Sequence, residues 1–116
     1  MDSPARRLSI YIGESDRWEG RPLYEAIVQK TRELGLAGAT VFKGVQGFGA
    51  HSKVRSLRLL ELSQDLPIKI EIIDHPDQIE RLLPFVETTV QEGLVVLEEV
   101  EMFLYRHGRK EGGAGC

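Results

Sequence analysis

The sequence predicts an α+β fold with the element order βαββαβ. Four segments have the alternating or β-branched residues of strands, and two longer segments repeat apolar residues at the spacing of a helix. Each helical segment stands between two of the strands, so the same β-α-β unit occurs twice. With 116 residues, 41% of them hydrophobic and 28% charged, the chain has the size and composition of one globular domain.

The first half of the chain contains two predicted strands and one helix. The segment Leu8–Ile12 alternates at period two and predicts the first strand. A polar loop is expected at Gly13–Gly20. Apolar residues recur at helical spacing over Pro22–Leu34, where a proline suits the first turn and Gly35 suits the C-terminal cap. The β-branched and aromatic residues of Ala39–Val45 predict the second strand.

The second half repeats this pattern with two further strands and a second helix. Alternation over Ile68–Ile72 predicts the third strand. Asp74 is the expected N-cap of the second helix, and Pro84 lies inside its apolar stripe and should bend it. The fourth strand is predicted at Val95–Arg106, with its even-numbered apolar residues on one face. The segment Leu57–Leu62 is compatible with either a short helix or an extension of a strand.

The element order also predicts how the connections are placed. Two β-α-β units of this kind form the ferredoxin-like fold, a four-stranded antiparallel sheet with two helices on one face. The strand directions then bring three polar, glycine-containing loops to one end of the sheet, namely Gly13–Gly20, Gln46–Ser56 and Glu92–Leu94. We therefore expect a ligand site at that end. The domain is predicted to span residues 1–106, and the glycine-rich tail at 107–116 is expected to be flexible.

The second face of the predicted sheet carries no helices. Alternation along the strands predicts that it presents Ser9, Tyr11, Lys69, Glu71, Phe103 and Tyr105. Aromatic residues mixed with polar groups are typical of an interface between subunits. The alternative is a monomer whose open face is amphipathic.

The segment GATVFKGVQGFGAH at 38–51 is the strongest local signal in the chain. It begins as a strand and continues into three glycines, which permit a positive φ or the close approach of another group. The polar residues that follow include Lys53 and Arg55 and no acid. Bare backbone amides beside positive charge suit an anionic ligand such as a nucleotide phosphate. The alternative is a hairpin turn in which Phe48 packs against the protein.

Four motifs together resemble an uncharacterised branch of the PII signalling proteins. They are YIGESD at Tyr11–Asp16, GRPLYEAI at Gly20–Ile27, GLAGATV at Gly35–Val41 and GFG at Gly47–Gly49. PII proteins are trimeric ferredoxin-like regulators that bind adenine nucleotides between subunits. The resemblance therefore implies a homotrimer with its sheets turned inward and with AMP, ADP or ATP as the ligand.

The same resemblance implies a nucleotide site around the second strand and the loop after it. Its candidate residues are Thr40, Lys43, Gly47, Phe48, Gly49 and Arg55. The phosphate-binding loop of PII proteins has no counterpart here, because only Glu92–Leu94 joins the second helix to the fourth strand. The resemblance consequently gives no selectivity for ATP and no role in sensing 2-oxoglutarate. Trp18 is interpreted as a residue that packs on the core, and the alternative is a ring that stacks on a base.

The functional hypothesis that follows is a regulatory protein rather than an enzyme. An adenine nucleotide at intersubunit clefts would alter the 46–56 loop and so modulate a partner protein such as a transporter or an enzyme. No obligatory cofactor is implied. The alternative is a structural or interaction module of the same fold without a ligand. A small enzyme is a third possibility, because this fold supports many chemistries.

Composition and residue spacing argue against several other classes. The net charge is −3, from 15 basic and 18 acidic residues, whereas a general nucleic-acid binder has a basic excess. No apolar run approaches the roughly 20 residues of a membrane span. We expect a cytoplasmic protein, because Cys116 is the single cysteine and no secretory signal is visible. His51, His75 and His107 lack the spacing of metal ligands, and no catalytic set is recognisable.

Overall fold

The computed structural model describes residues 3–49 and 65–106, which contain six strands and two helices. In chain order these are β1 (Ser3–Gly13), β2 (Arg17–Trp18), β3 (Arg21–Pro22), α1 (Leu23–Glu33), β4 (Thr40–Lys43), β5 (Pro67–Asp74), α2 (Pro76–Thr89) and β6 (Leu94–Met102). The predicted βαββαβ order is present, with the short β2 and β3 added before α1. The ambiguous segment Leu57–Leu62 lies outside the described residues.

Four of the strands form one antiparallel sheet in the order β4–β5–β1–β6. The central strand β1 pairs with both β5 and β6. The prediction of a four-stranded antiparallel sheet with two helices is therefore confirmed. Because β1 and β4 run towards one end of the sheet while β5 and β6 start there, their connections meet at that end.

The buried core lies between the sheet and the two helices. Alternate side chains of a strand point to the same face, and the even-numbered apolar residues of β1 and β5 all face the helices. The core includes Leu8, Ile10, Ile12, Leu23, Ile27, Ile68, Ile70, Ile72, Ile79, Leu82 and Val86. Complete burial of one such side chain contributes about 1.5–3 kcal/mol, so this layer holds the helices on the sheet.

The strand β1 is longer than predicted. It begins at Ser3 rather than Leu8 and ends at Gly13. The guanidinium of Arg7 donates a hydrogen bond to Glu98 on β6 (Nε–Oε1, 2.8 Å) and lies 3.6 Å from Glu71 on β5. The predicted start was wrong because it relied on the alternation of apolar residues. The first part of β1 contains charged residues such as Arg7, whose partners lie on neighbouring strands, and alternation does not detect them.

The predicted polar loop after β1 contains a short hairpin made by β2 and β3. Between these strands Glu19 has a φ of 51° and Gly20 a φ of 79°, and two consecutive positive φ angles are typical of a type I′ turn. The ring of Trp18 packs edge-on against Phe85 of α2, with the ring centroids 5.1 Å apart. Trp18 also packs against the buried core, which confirms its interpretation as a packing residue.

Both helices are confirmed, but α2 begins differently from the prediction. Gly35 follows α1 with a φ of 82°, as expected of a C-terminal cap. The N-cap of α2 is His75 rather than Asp74. Asp74 is buried at the end of β5, where its carboxylate accepts hydrogen bonds from the N–H groups of Ala37 (2.8 Å) and His75 (2.7 Å). The helix continues through Pro84, and the bend there stays a prediction.

Two strands were predicted too long, and the orientation of one was wrong. β4 ends at Lys43, and β6 ends at Met102, so Phe103 and Tyr105 lie beyond the sheet. Val96 is the direct partner of Ser9 on β1, which places the even-numbered residues of β6 on the face away from the helices. Residues 94–97 are all apolar, so periodicity does not indicate which of them face the helices.

The face of the sheet away from the helices is called the open face here. Lys69 lies at its centre, with its Nζ 5.7 Å from the ring centroids of both Tyr11 and Phe42. Both aromatic residues are exposed, whereas Ser9, which was predicted to be exposed, is buried. Ser9 is covered because its small side chain lies among longer ones. The open face thus has the predicted mixture of aromatic and polar groups, without Phe103 and Tyr105.

Candidate functional site

One cleft lies at the end of the sheet where β1 and β4 finish and where β5 and β6 begin. Its volume is about 530 Å³. The lining residues are Tyr11, Ile12, Gly13, Asp16, Gly47, Phe48, Gly49, Asp65, Pro67, Glu92, Gly93 and Leu94. All three loops that strand direction predicted to converge contribute to this lining, through the described part of each.

Gly93 allows the turn before β6 to pass close to the end of β1. A Cβ atom added at Gly93 would lie 2.6 Å from the carbonyl oxygen of Tyr11 and 3.1 Å from Cγ2 of Ile12. The first of these neighbours is backbone, which cannot rotate away. The position of the Glu92–Leu94 side of the cleft therefore depends on the absence of a side chain at Gly93.

The two glycines of the Gly-Phe-Gly motif have different environments. Gly47 has a φ of 153°, which favours glycine, and an added Cβ would lie 3.1 Å from Cγ of Pro67. At Gly49 an added Cβ meets no atom within 4 Å. Between them the side chain of Phe48 is 77% exposed. The backbone therefore requires glycine at the first position of the motif, and it leaves an aromatic ring accessible at the cleft.

Hydrogen bonds join the loop after β1 to the residues that precede β5. The N–H of Gly13 donates to the Asp16 carboxylate at 3.0 Å, and the N–H of Ser15 donates to the Asp65 carboxylate at 3.1 Å. Two residues that line the cleft are thereby held in place by backbone groups. Each carboxylate still has acceptor capacity beyond the one bond described.

The described lining of the cleft is acidic. Its charged members are Asp16, Asp65 and Glu92, and no Lys or Arg occurs among the described lining residues. Like charges repel, so this wall favours hydroxyl or amino donors over phosphate oxygens. The sequence-based expectation of positive charge rested on Lys53 and Arg55, which lie outside the described residues.

An ion pair joins the loop after β1 to the end of β4. Lys43 Nζ and Glu14 Oε2 are 2.7 Å apart. The hydrogen bond from Lys43 lowers the pKa of Glu14, and the same bond raises the pKa of Lys43. The other oxygen of this carboxylate, Glu14 Oε1, is buried without a hydrogen-bond donor in the described part of the chain. The pair thus fixes the strand that leads into the Gly-Phe-Gly motif.

The structure brings together three of the six site residues predicted from the sequence. Gly47, Phe48 and Gly49 line the cleft. Thr40 lies on the open face beside Glu71 of β5, and Lys43 is paired with Glu14 and is not among the lining residues. Arg55 lies outside the described part of the chain.

Sequence reasoning missed several lining residues, above all Asp65 and Pro67. They are distant in sequence from the glycine motif, and attention to basic residues does not identify an aspartate. Strand topology contains the missing signal, because a residue just before β5 must lie beside the end of the neighbouring β1. Glu92 lies in a loop that was expected at the cleft, but its charge was not used in that prediction.

Two further features of residues 3–49 and 65–106 are relevant to function. No three His, Cys, Asp or Glu side chains in these ranges are grouped so as to hold a metal ion. Neither helix is long and apolar enough to span a bilayer.

Solved structures of PII-like proteins share this fold. CPII from Thiomonas intermedia, in a structure bound to ADP and bicarbonate, matches with a TM-score of 0.64 and 17% identity over 88% of this chain and 91% of that one. A putative PII-like signalling protein from Thermus thermophilus matches with a TM-score of 0.59 and 17% identity over 87% of this chain and 91% of that one. The predicted ferredoxin-like fold of the PII type is therefore confirmed.

Sequence relatives carry the designation UPF0166. One from Aquifex aeolicus is 37% identical over 95 residues, which are 82% of this chain and 90% of the relative. Another from Methanocaldococcus jannaschii is 34% identical over 100 residues, which are 85% of this chain and 92% of the relative. The family model of DUF190, described as "Uncharacterized ACR", matches residues 5–102. The resemblance to an uncharacterised PII-like branch is thus confirmed, and the chain belongs to the DUF190 family.

Proposed function

We propose that this protein is a PII-like regulator that binds an adenine nucleotide at the cleft. In this proposal the protein is a cytoplasmic homotrimer without catalytic activity, and residues 46–56 modulate a partner such as a transporter or an enzyme. The observation that carries the proposal is the convergence of three loops on one cleft beside the exposed ring of Phe48. The fold shared with ADP-bound CPII supports it. We further propose one domain at 1–106 and a flexible tail at 107–116.

The chemistry of the cleft suggests how a nucleotide would lie in it. The exposed ring of Phe48 offers a surface on which an adenine can stack. The carboxylates of Asp16, Asp65 and Glu92 offer acceptors to ribose hydroxyl groups and to the exocyclic amine. Because the same wall repels phosphate, the phosphates would extend away from these carboxylates, and Arg55 stays the basic residue that the sequence predicts as their partner. Affinity should therefore depend on the nucleoside more than on the number of phosphates.

The open face of the sheet supports the trimer in this proposal. Tyr11 and Phe42 are exposed there, on either side of Lys69. Burial of these rings against other copies would remove apolar surface from water. Contact between subunits would also place a neighbouring chain beside each cleft.

Calorimetric titration with AMP, ADP and ATP tests the ligand, and bicarbonate belongs in the panel because it accompanies ADP in CPII. Saturable binding of at least one adenine nucleotide is expected. Ligand at 100 times its Kd should stabilise the folded protein by about 2.7 kcal/mol. A light-scattering mass of three chains at micromolar concentration is expected in parallel.

A glycine variant in the motif sharpens the test. Gly47→Val should abolish nucleotide binding, because the backbone conformation and Pro67 oppose a side chain there. Gly38→Val is the matched control and should bind normally, because a Cβ at Gly38 meets no atom within 4 Å and Gly38 does not line the cleft. If the wild-type protein binds no adenine nucleotide while remaining a folded trimer, the alternative of a structural or interaction module without ligand replaces this proposal.

A further inference from the structure

The ion pair between Lys43 and Glu14 passes the start of β5 beside the cleft. Lys43 is the last residue of β4, and Glu14 follows the last residue of β1. The strand β5 lies between β4 and β1 in the sheet, yet Lys43 Nζ and Glu14 Oε2 are 2.7 Å apart. The lysine side chain therefore reaches past the first residues of β5, of which Pro67 lines the cleft. A positive charge is thus present at the cleft end of the sheet, and Glu14 neutralises it.

The backbone next to Lys43 is in contact with the lining of the cleft. The N–H of the following residue, Gly44, donates to the carbonyl oxygen of Pro67 at 2.8 Å, and a Cβ added at Gly44 would lie 2.8 Å from Cγ of Pro67. A lysine carries its ammonium group on a flexible four-carbon stem, and the group has three rotatable donors. Without its partner, the Lys43 ammonium group would be free to turn around Pro67 towards a ligand in the cleft.

The environment of Glu14 favours retention of its lysine. An exposed ion pair usually stabilises a protein little, because water solvates both charges when they separate. Glu14 differs, because its Oε1 is buried and accepts no hydrogen bond from the described part of the chain. If Lys43 left, Oε2 would lose its described donor as well, and a partly buried carboxylate without a partner is unfavourable. A phosphate group must therefore compete for Lys43 against a carboxylate that depends on it.

We propose that Glu14 determines how strongly the cleft recognises phosphate, because it keeps the ammonium group of Lys43 from the ligand. With Glu14 in place, the phosphates of a bound nucleotide gain no contact with Lys43. Without Glu14, Lys43 becomes an additional phosphate-binding residue. Glu14 is a positioning residue, since it acts through Lys43 rather than by touching the ligand. The inference rests on the proposed function, because it specifies the ligand selectivity of the same cleft.

Calorimetric titration with adenosine and AMP tests this role of Glu14. Adenosine carries no phosphate, so the ratio of its Kd to the Kd of AMP measures what the phosphate contributes. Glu14→Gln keeps the shape of the side chain and removes its charge. It should raise the ratio about tenfold, which is the usual effect of one hydrogen bond between charged groups. Glu14→Ala releases the lysine by removing the carboxylate altogether and should raise the ratio similarly.

Two controls separate the role of Lys43 from a general effect of charge. Glu33→Gln removes the same charge from an exposed residue at the end of α1 that points away from the cleft, and it should keep the wild-type ratio. The double variant Glu14→Gln/Lys43→Met should also return to the wild-type ratio, because the released ammonium group is then absent. Circular dichroism verifies that each variant is folded.

Each other outcome contradicts the inference. A wild-type ratio in both single variants of Glu14 would show that Lys43 does not reach the phosphate. A raised ratio that persists in the double variant would assign the increase to the loss of charge at Glu14 alone. In both cases, binding of adenosine or AMP by the wild-type protein would leave the proposed function standing. If the folded wild-type protein binds no adenine nucleoside or nucleotide, the proposed function is refuted and this inference with it.

Discussion

Substitution of Gly93 by alanine is the most direct test of how the cleft is built. The added Cβ would lie 2.6 Å from the carbonyl oxygen of Tyr11, 3.1 Å from Cγ2 of Ile12 and 3.2 Å from Cγ1 of Val90. Real Cβ atoms essentially never lie closer than 3.0 Å to such neighbours, so the turn must move by at least about 0.4 Å. We expect the movement to separate the turn from the end of β1.

The energetic cost of Gly93→Ala depends on the added Cβ meeting a backbone carbonyl oxygen rather than a flexible side chain. A carbonyl in the paired part of β1 cannot yield without disturbing the sheet, and overpacking of this kind typically costs about 1–3 kcal/mol. Urea unfolding, followed by circular dichroism at one fixed protein concentration, measures the loss. The fixed concentration is needed because the stability of the proposed trimer would depend on it.

Gly38→Ala is the matched control for this experiment. A Cβ at Gly38 meets no atom within 4 Å, so the exchange should be neutral or raise stability by up to about 1 kcal/mol through the unfolded chain. If Gly93→Ala and Gly38→Ala unfold at the same urea concentration, the close approach of Gly93 to Tyr11 does not constrain the cleft, and the argument is refuted.

Three other predictions concern residues around the core and the cleft. Because Lys43 lowers the pKa of Glu14, the pair should stabilise the folded state at neutral pH and lose that effect as the pH falls through the depressed pKa. Glu14→Gln should therefore weaken the decrease of the free energy of unfolding at acid pH, as measured by urea titrations at several pH values. Trp18→Ala should destabilise the fold by about 3 kcal/mol and Trp18→Phe by clearly less, and equal thermal midpoints for the two would contradict the packing described. Asp74→Asn should lower the free energy of unfolding in urea by about 1–3 kcal/mol. The amide keeps only one acceptor oxygen, so the N–H of either Ala37 or His75 loses its acceptor. An unchanged midpoint would show that these bonds are replaceable.

The parts of the fold that the sequence predicted are those fixed by periodicity and by element order. Alternation located the buried centres of β1 and β5, and helical spacing located both helices. The convergence of the loops followed from strand direction alone. These features depend on which face of an element is apolar, and that information is local in the sequence.

The features that the sequence predicted wrongly depend on contacts between segments that are distant in the chain. The start of β1 depends on Arg7, whose partners are on two neighbouring strands. Asp74 has the local signal of an N-cap, but its carboxylate binds the N–H of Ala37 from another loop. For β6, continuous apolar residues left the orientation undetermined. The acidic wall of the cleft was missed for the same kind of reason, because Asp65 joins Asp16 only in the folded chain.

The hydrogen bond that joins the two ends of the connection between β4 and β5 has a consequence for engineering. The N–H of Gly44 donates to the carbonyl of Pro67 at 2.8 Å, directly beyond the last paired residues of the two strands. The two ends of the connection are therefore held together at the edge of the sheet. Doubling the length of such a connection costs only about 0.6 kcal/mol in closure entropy. A fluorescent reporter module could therefore be placed between β4 and β5 without altering the sheet, which would make the domain a scaffold for a genetically encoded sensor.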